Sequence, residues 1–121
     1  MNVLLVEDNF VIAMHLQDLV ETDGHSAVGP FAKAEEALTA LGAHKIHGAL
    51  LDYSLAAGTT SISVADKLYE LGLPFAFVTG QARINIPQRF ACVPRLFKPI
   101  QDQALSTVLQ GFQKCALPSL W

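Results

Sequence analysis

Apolar positions recur along this chain with two periods, and the periods take turns. Val3-Leu4-Leu5-Val6 is a continuous, β-branch-rich run, the pattern of a strand buried on both faces. After Glu7-Asp8-Asn9 the spacing changes. Ile12, Leu16, Leu19 and Val20 fall on one helical stripe, with Asp8 or Asn9 as cap and Gly24 as stop. Residues 26–29 read as a short strand, and Ala34, Ala37, Leu38 and Leu41 as a second helix closed by Gly42. Gly48-Ala49-Leu50-Leu51 is a third strand and ends on Asp52. A loop over 53–60 leads to a helix carrying Val64, Ala65, Leu68 and Leu71, with Ser61 or Ser63 as cap and Gly72 as stop. Pro74 precedes the strand Phe75-Ala76-Phe77-Val78, which ends on Thr79-Gly80, and residues 94–97 form a fifth strand. Ala104, Leu105, Val108, Leu109 and Phe112 mark one face of a last helix. Between Gly80 and Val93 there is no clean helical stripe, and Pro87 interrupts what there is, so the fourth helix is expected to be short or irregular.

Strand and helix in strict alternation imply βαβ units. The expected fold is therefore α/β, a doubly wound five-stranded parallel sheet with helices on both faces.

The 121 residues suit one domain over 1–121, and with 51% of them apolar and 16% charged the core can be well filled. The apolar runs are far shorter than the roughly 20 residues of a membrane span. Met1-Asn2 runs straight into a strand, with no basic region or cleavage site of a signal peptide. Cys92 and Cys115 are unpatterned and suggest neither a disulfide framework nor a zinc site. His44 and His47 lack further Cys or His ligands and read as surface residues. A cytoplasmic protein with no membrane partner is expected.

Net charge is −3, unevenly spread. Residues 1–82 hold ten of the eleven acids with only Lys33, Lys45 and Lys67, whereas 83–121 hold five bases against Asp102 alone. Five bases without interleaved aromatics are thin for a nucleic-acid surface. They read as the positive pole of a protein-binding module.

The chemistry sits at the strand ends, where doubly wound sheets bind their ligands. Glu7 and Asp8 follow the first strand, Asp52 ends the third, Thr79 the fourth and Lys98 the fifth. Each has an ordinary reading: acids favour a helix start, a strand-end Asp starts a turn, Thr-Gly is a common strand exit, and a lysine is commonly solvated. Taken as a set at one edge they point elsewhere. Three gathered carboxylates repel unless a cation shares the site, and oxygen ligands with spare water positions suit Mg²⁺. Asp52 can then act as a nucleophile that forms an acyl phosphate, with Lys98 neutralising charge and the Thr79 hydroxyl donating to a phosphoryl oxygen. Gly80, without a side chain, leaves an open approach beside Thr79. Phe10 is expected to cover the site.

These segments, Val3-Leu4-Leu5-Val6-Glu7-Asp8-Asn9, Leu50-Leu51-Asp52, Val78-Thr79-Gly80 and Leu96-Phe97-Lys98-Pro99, resemble the response-regulator receiver family across essentially the whole chain. The separation of Asp52 from Asp8 is typical of that family. The resemblance implies a flavodoxin-like strand order of 2-1-3-4-5, Asp52 as phosphoacceptor and Asp8 as a direct Mg²⁺ ligand. Glu7 would hold the ion directly or through water, and the backbone carbonyl of Ser54 would complete the set. Thr79 is implied as the switch hydroxyl, Lys98 as the phosphoryl-binding lysine, and Lys98–Pro99 as a cis bond. Three departures stand out. The turn Tyr53-Ser54-Leu55-Ala56-Ala57-Gly58 lacks the usual proline, Arg95 stands where a switch aromatic is usual, and the stretch from Thr79 to Lys98 is short. With Pro74-Phe75-Ala76-Phe77-Val78-Thr79-Gly80 they resemble a receiver subgroup common in alphaproteobacteria that lacks the aromatic switch.

The expected function is that of a stand-alone receiver phosphorylated by a sensor histidine kinase or histidine phosphotransfer protein. It would act on a downstream protein as shuttle, phosphate sink or relay, assisting its own phosphorylation without being an enzyme. A degenerate receiver that docks without phosphorylation is the alternative. A haloacid-dehalogenase-type phosphatase ranks last, because Ser54 stands where its second acid is needed. Trp121 is expected to pack on the last helix or to serve in docking.

Overall fold

The computed structural model describes residues 1–80 and 86–114. Expectations for Arg83, Cys115 and Trp121 lie outside the described residues. The elements are β1 (Asn2–Val6), α1 (Phe10–Thr22), β2 (Ser26–Phe31), α2 (Ala34–Ala43), β3 (Gly48–Asp52), α3 (Ile62–Leu71), β4 (Phe75–Thr79), β5 (Arg95–Phe97) and α4 (Asp102–Lys114). The five strands form one parallel sheet in the order β2-β1-β3-β4-β5.

The two-residue period of each strand sorts the core onto two faces. Leu4, Val6, Ala49, Leu51, Phe75 and Phe77 meet α2 and α3 through Ala37, Ala40, Val64, Ala65 and Leu68. Val3, Leu5, Leu50, Ala76, Val78 and Leu96 meet α1 and α4 through Leu16, Leu19, Val20, Leu105, Leu109 and Phe112. At Gly48 an added Cβ would sit 2.6 Å from Phe112 Cδ2, so α4 rests directly on the first residue of β3. None of the described helices is long and apolar enough to cross a membrane.

Several local expectations are corrected. Residues 26–29 undershoot β2. Gly29, at φ 104°, and Pro30 make an irregularity, after which pairing resumes and the Phe31 carbonyl accepts from Glu7 N–H at 2.9 Å. Pro30 is tolerated because β2 is an edge strand. Gly42 does not close α2, which runs to Ala43 before His44 N–H donates to Ala40 O at 2.9 Å. Ser61 occupies the N-cap of α3 without capping it. Its hydroxyl is buried with no partner among the described residues, and Thr60 Oγ1 accepts weakly from Ile62 N–H at 3.4 Å. Gly72, at φ 72°, ends α3 as expected.

Between β4 and β5 the described residues hold one 3₁₀ turn, Gln88–Phe90, and the rest of the expected short or irregular fourth helix, over 81–85, lies outside the described residues. Pro87 starts the turn and Phe90 fills the space beneath, 1% exposed, with its ring edge-on to Phe75 and Phe77.

Candidate functional site

Chain reversal at the centre of the sheet builds the site. From β1 the chain leaves for β2 on one side and returns as β3 on the other, so the carboxyl ends of β1 and β3 open onto one crevice. Glu7 stands one residue past β1, and Asp52 ends β3; both are buried. Asp8 is exposed beside them. One carboxylate oxygen from each of the three lies within 4.8 Å of the others. Asn9 fixes this turn from both sides. Its side-chain oxygen accepts from Val11 and Ile12 N–H at 3.0 and 3.2 Å, capping α1, while its own N–H donates to Glu7 Oε2 at 3.2 Å.

Lys98 directly follows β5, just ahead of the cis Lys98–Pro99 bond, and reaches back over the crevice. Its Nζ stands 3.0 Å from Glu7 Oε1 and 3.4 Å from Asp52 Oδ2. Its backbone N–H donates to Thr79 O at 2.8 Å, which ties β5 to the end of β4. Thr79 is buried there. Among the described residues, a Cβ added to Gly80 would meet only Lys98 Cδ, at 3.9 Å. Ser54 pairs with Thr60 in an isolated antiparallel bridge that closes the loop after Asp52.

Burial and crowded charge shift two of these groups, Asp52 and Lys98. Burial, then the hydrogen bond and charge of Glu7, push Asp52 from 3.8 up to about 8, with Lys98 pulling the other way. For Lys98, burial favours the neutral amine, but Glu7 and Asp52 outweigh it and the net shift is upward. A dication fits this oxygen-only set, because it would relieve the repulsion that one ammonium leaves in place.

Two expectations are not met. Phe10 does not close over the acids; it begins α1 and is 76% exposed. His47 is half-buried, not a plain surface residue, and its Nδ1 accepts from Asn2 N–H at 2.9 Å.

No protein-family model matches the chain. Among solved structures, SdrG from Sphingomonas melonis Fr1 is similar at 32% identity and TM-score 0.84, over 93% of this chain and 96% of that chain. The receiver (REC) domain of the PhyR response regulator from Erythrobacter litoralis is similar at 29% identity and TM-score 0.76, over 93% and 89%. The chain belongs to the response-regulator receiver family. A curated relative, the phyllosphere-induced regulator PhyR of Methylorubrum extorquens, is 32% identical over 115 residues. This receiver covers 88% of itself in that match but only 41% of PhyR. SdrG also has a solved BeF3-activated conformation, which this receiver matches at 33% identity and TM-score 0.77 over 90% and 92% of the two chains. In receiver terms, Arg95 opens β5 half-buried where a switch aromatic is usual.

Sequence reasoning placed Glu7, Asp8, Asp52, Thr79 and Lys98 together, and the fold brings them together. It missed that Lys98 is paired with both acids. It also missed the pair between Arg89 and Asp66, residues 23 apart in sequence with nothing periodic to link them.

Proposed function

We propose that this receiver accepts a phosphoryl group on Asp52 from a sensor histidine kinase or histidine phosphotransfer protein, and signals by changed binding to a downstream protein. The observation that carries the reading is Lys98 Nζ held between Glu7 and Asp52 at 3.0 and 3.4 Å. It is a cation already aimed at the oxygen that would carry the phosphoryl group.

Glu7, Asp8, Asp52 and the Ser54 carbonyl would hold Mg²⁺, which when bound supplies neutralisation of charge on the transferring oxygens. The Asp52 carboxylate attacks phosphorus. The new O–P bond forms as the P–N bond to the donor imidazole breaks, and that imidazole keeps the electron pair and takes up a proton. Burial and the charge of Glu7 push the Asp52 carboxyl up, so a cation beside it would favour the ionised, nucleophilic form. Lys98 then follows the charge from Glu7 onto a phosphoryl oxygen, and the Thr79 hydroxyl donates to another. The added charge of about −1.5 to −2 beside Thr79 and Lys98 reshapes the β4–β5 connection. The protein would be a phosphoacceptor assisting its own phosphorylation and dephosphorylation in the cytoplasm, not an enzyme with a separate substrate. The BeF3-activated form of SdrG supports the reading, since a relative of the same fold is described as activated that way.

The test is intact mass after incubation with acetyl phosphate, with and without Mg²⁺, beside Asp52→Asn. One added phosphoryl group that needs both Mg²⁺ and Asp52 is expected. No added mass, with rapid hydrolysis excluded, would replace this reading with phosphorylation-independent docking.

A further inference from the structure

Two chain segments flank the candidate phosphorylation site. One leaves Asp52 and becomes α3; the other leaves Thr79 and returns as Lys98. Among the described residues they are joined side by side, away from the sheet, at one polar place. Arg89, in the 3₁₀ turn between β4 and β5, donates from Nε to Asp66 Oδ1 and from Nη2 to Asp66 Oδ2, both at 3.0 Å. Asp66 lies on the outer face of α3. The guanidinium also lies 4.8 Å from the centroid of the Phe90 ring.

The two neighbours Arg89 and Phe90 hold the turn in unlike ways. Phe90 is sunk in the core, edge-on to Phe75, Phe77 and Tyr69, and leaving would expose a large apolar surface. Arg89 and Asp66 remain 55% and 50% exposed, and solvated pairs of this kind are weak, screened by salt and readily remade with water. The bidentate fork nevertheless fixes direction as well as distance, so a small rotation of the turn about Phe90 breaks it.

We propose that Arg89–Asp66 is a releasable strap, closed in the resting receiver and open in the phosphorylated one, and that Phe90 is the pivot on which the turn swings. This rests on the phosphorylation reading above. The strap joins α3, which follows Asp52, to the turn that leads through β5 to Lys98, so a shift of Lys98 and β5 relative to α3 is felt across it. A tie made only in the resting state must oppose activation, and its removal must favour activation by the same factor.

The test titrates the full chain with BeF3⁻ and Mg²⁺, following amide shifts of the 88–93 segment and the Arg89 Nε–H resonance. Arg89→Gln and Asp66→Asn are each expected to lower the half-saturating BeF3⁻ concentration about two- to fivefold. The exchanged pair, Arg89→Asp with Asp66→Arg, should return it toward the wild-type value. In the wild type the Arg89 Nε–H signal should lose its hydrogen-bonded position on saturation. Unchanged midpoints in both variants, or an Arg89 signal that stays put, would overturn the strap while leaving the phosphorylation reading intact. A wild-type chain that takes up no BeF3⁻ with Mg²⁺ would overturn both.

Discussion

Two connections leave the carboxyl edge of the sheet, one from Asp52 and one from Thr79, and they are built in opposite ways. The first passes a loop closed by the Ser54–Thr60 bridge and becomes α3, a ten-residue helix that buries Val64, Ala65 and Leu68 and stops at a left-handed glycine. In the second, the described residues offer a single 3₁₀ turn and one large anchor, Phe90. Both cover the same face of the sheet. Spreading a contact over three helical positions gives a connection that moves as a rigid piece. In the described part of the second connection one fully buried ring, Phe90, carries most of the contact, with Ile86 and Val93 packed part-buried beside it. The connection from Asp52 is thus built on a regular helix, and the described part of the one from Thr79 on a short turn.

The sharpest way to break this contrast is to remove the largest anchor, Phe90. Phe90→Ala should cost about 3–5 kcal/mol in urea unfolding, and Leu68→Ala about 2–5 kcal/mol. The two should differ in kind. Amide exchange is expected to rise selectively over 88–93 in Phe90→Ala and evenly across the domain in Leu68→Ala. Equal, global exchange in both would show that the second connection is as distributed as the first.

Asp52 supplies the next effect. Its carboxyl, raised from 3.8 to about 8, binds a proton more tightly folded than unfolded. That contribution is fully present below about pH 4 and is lost as pH rises toward about 8, so stability without divalent cations should fall across this window. Asp52→Asn should remove that part of the slope, and saturating Mg²⁺ should do the same in the wild type. Parallel stability–pH curves for wild type and Asp52→Asn would refute it.

The smallest effect concerns the start of α3. Ser61 carries a buried hydroxyl without a partner among the described residues, so Ser61→Ala should be neutral or stabilising by up to about 1 kcal/mol. A loss of more than that in thermal unfolding would mean that the hydroxyl holds a water or the Asp52 loop in place.

Most of the fold was legible because both of its periods were. Val3 to Val6 and Phe75 to Val78 are too apolar to lie on a surface, and the stripes of α1, α3 and α4 each point one way. What escaped was set by tertiary contact. Gly29-Pro30 has the chemistry of a strand stop, yet Phe31 rejoins the sheet because Glu7 offers it a free N–H. Ser61 has the chemistry of a cap but is turned inward. The site was legible residue by residue because strand ends in a doubly wound sheet converge. Its resting state was not, since no sequence pattern says that Lys98 would close on Glu7. The Arg89–Asp66 pair was hidden for the same reason.

The seating of α4 on Gly48 bears on how this domain is made. One face of the sheet is covered early in synthesis by α2 and α3, but the other has only α1 until residues 102–114 have left the ribosome. Until then Leu50, Ala76 and Val78 have no lid, and the nascent chain carries an apolar strip that a chaperone or another nascent chain can bind. Phe112 can land only where β3 begins with a residue lacking a side chain. A side chain at position 48 would meet the Phe112 ring, so the ring or the last helix would have to shift before that face could close.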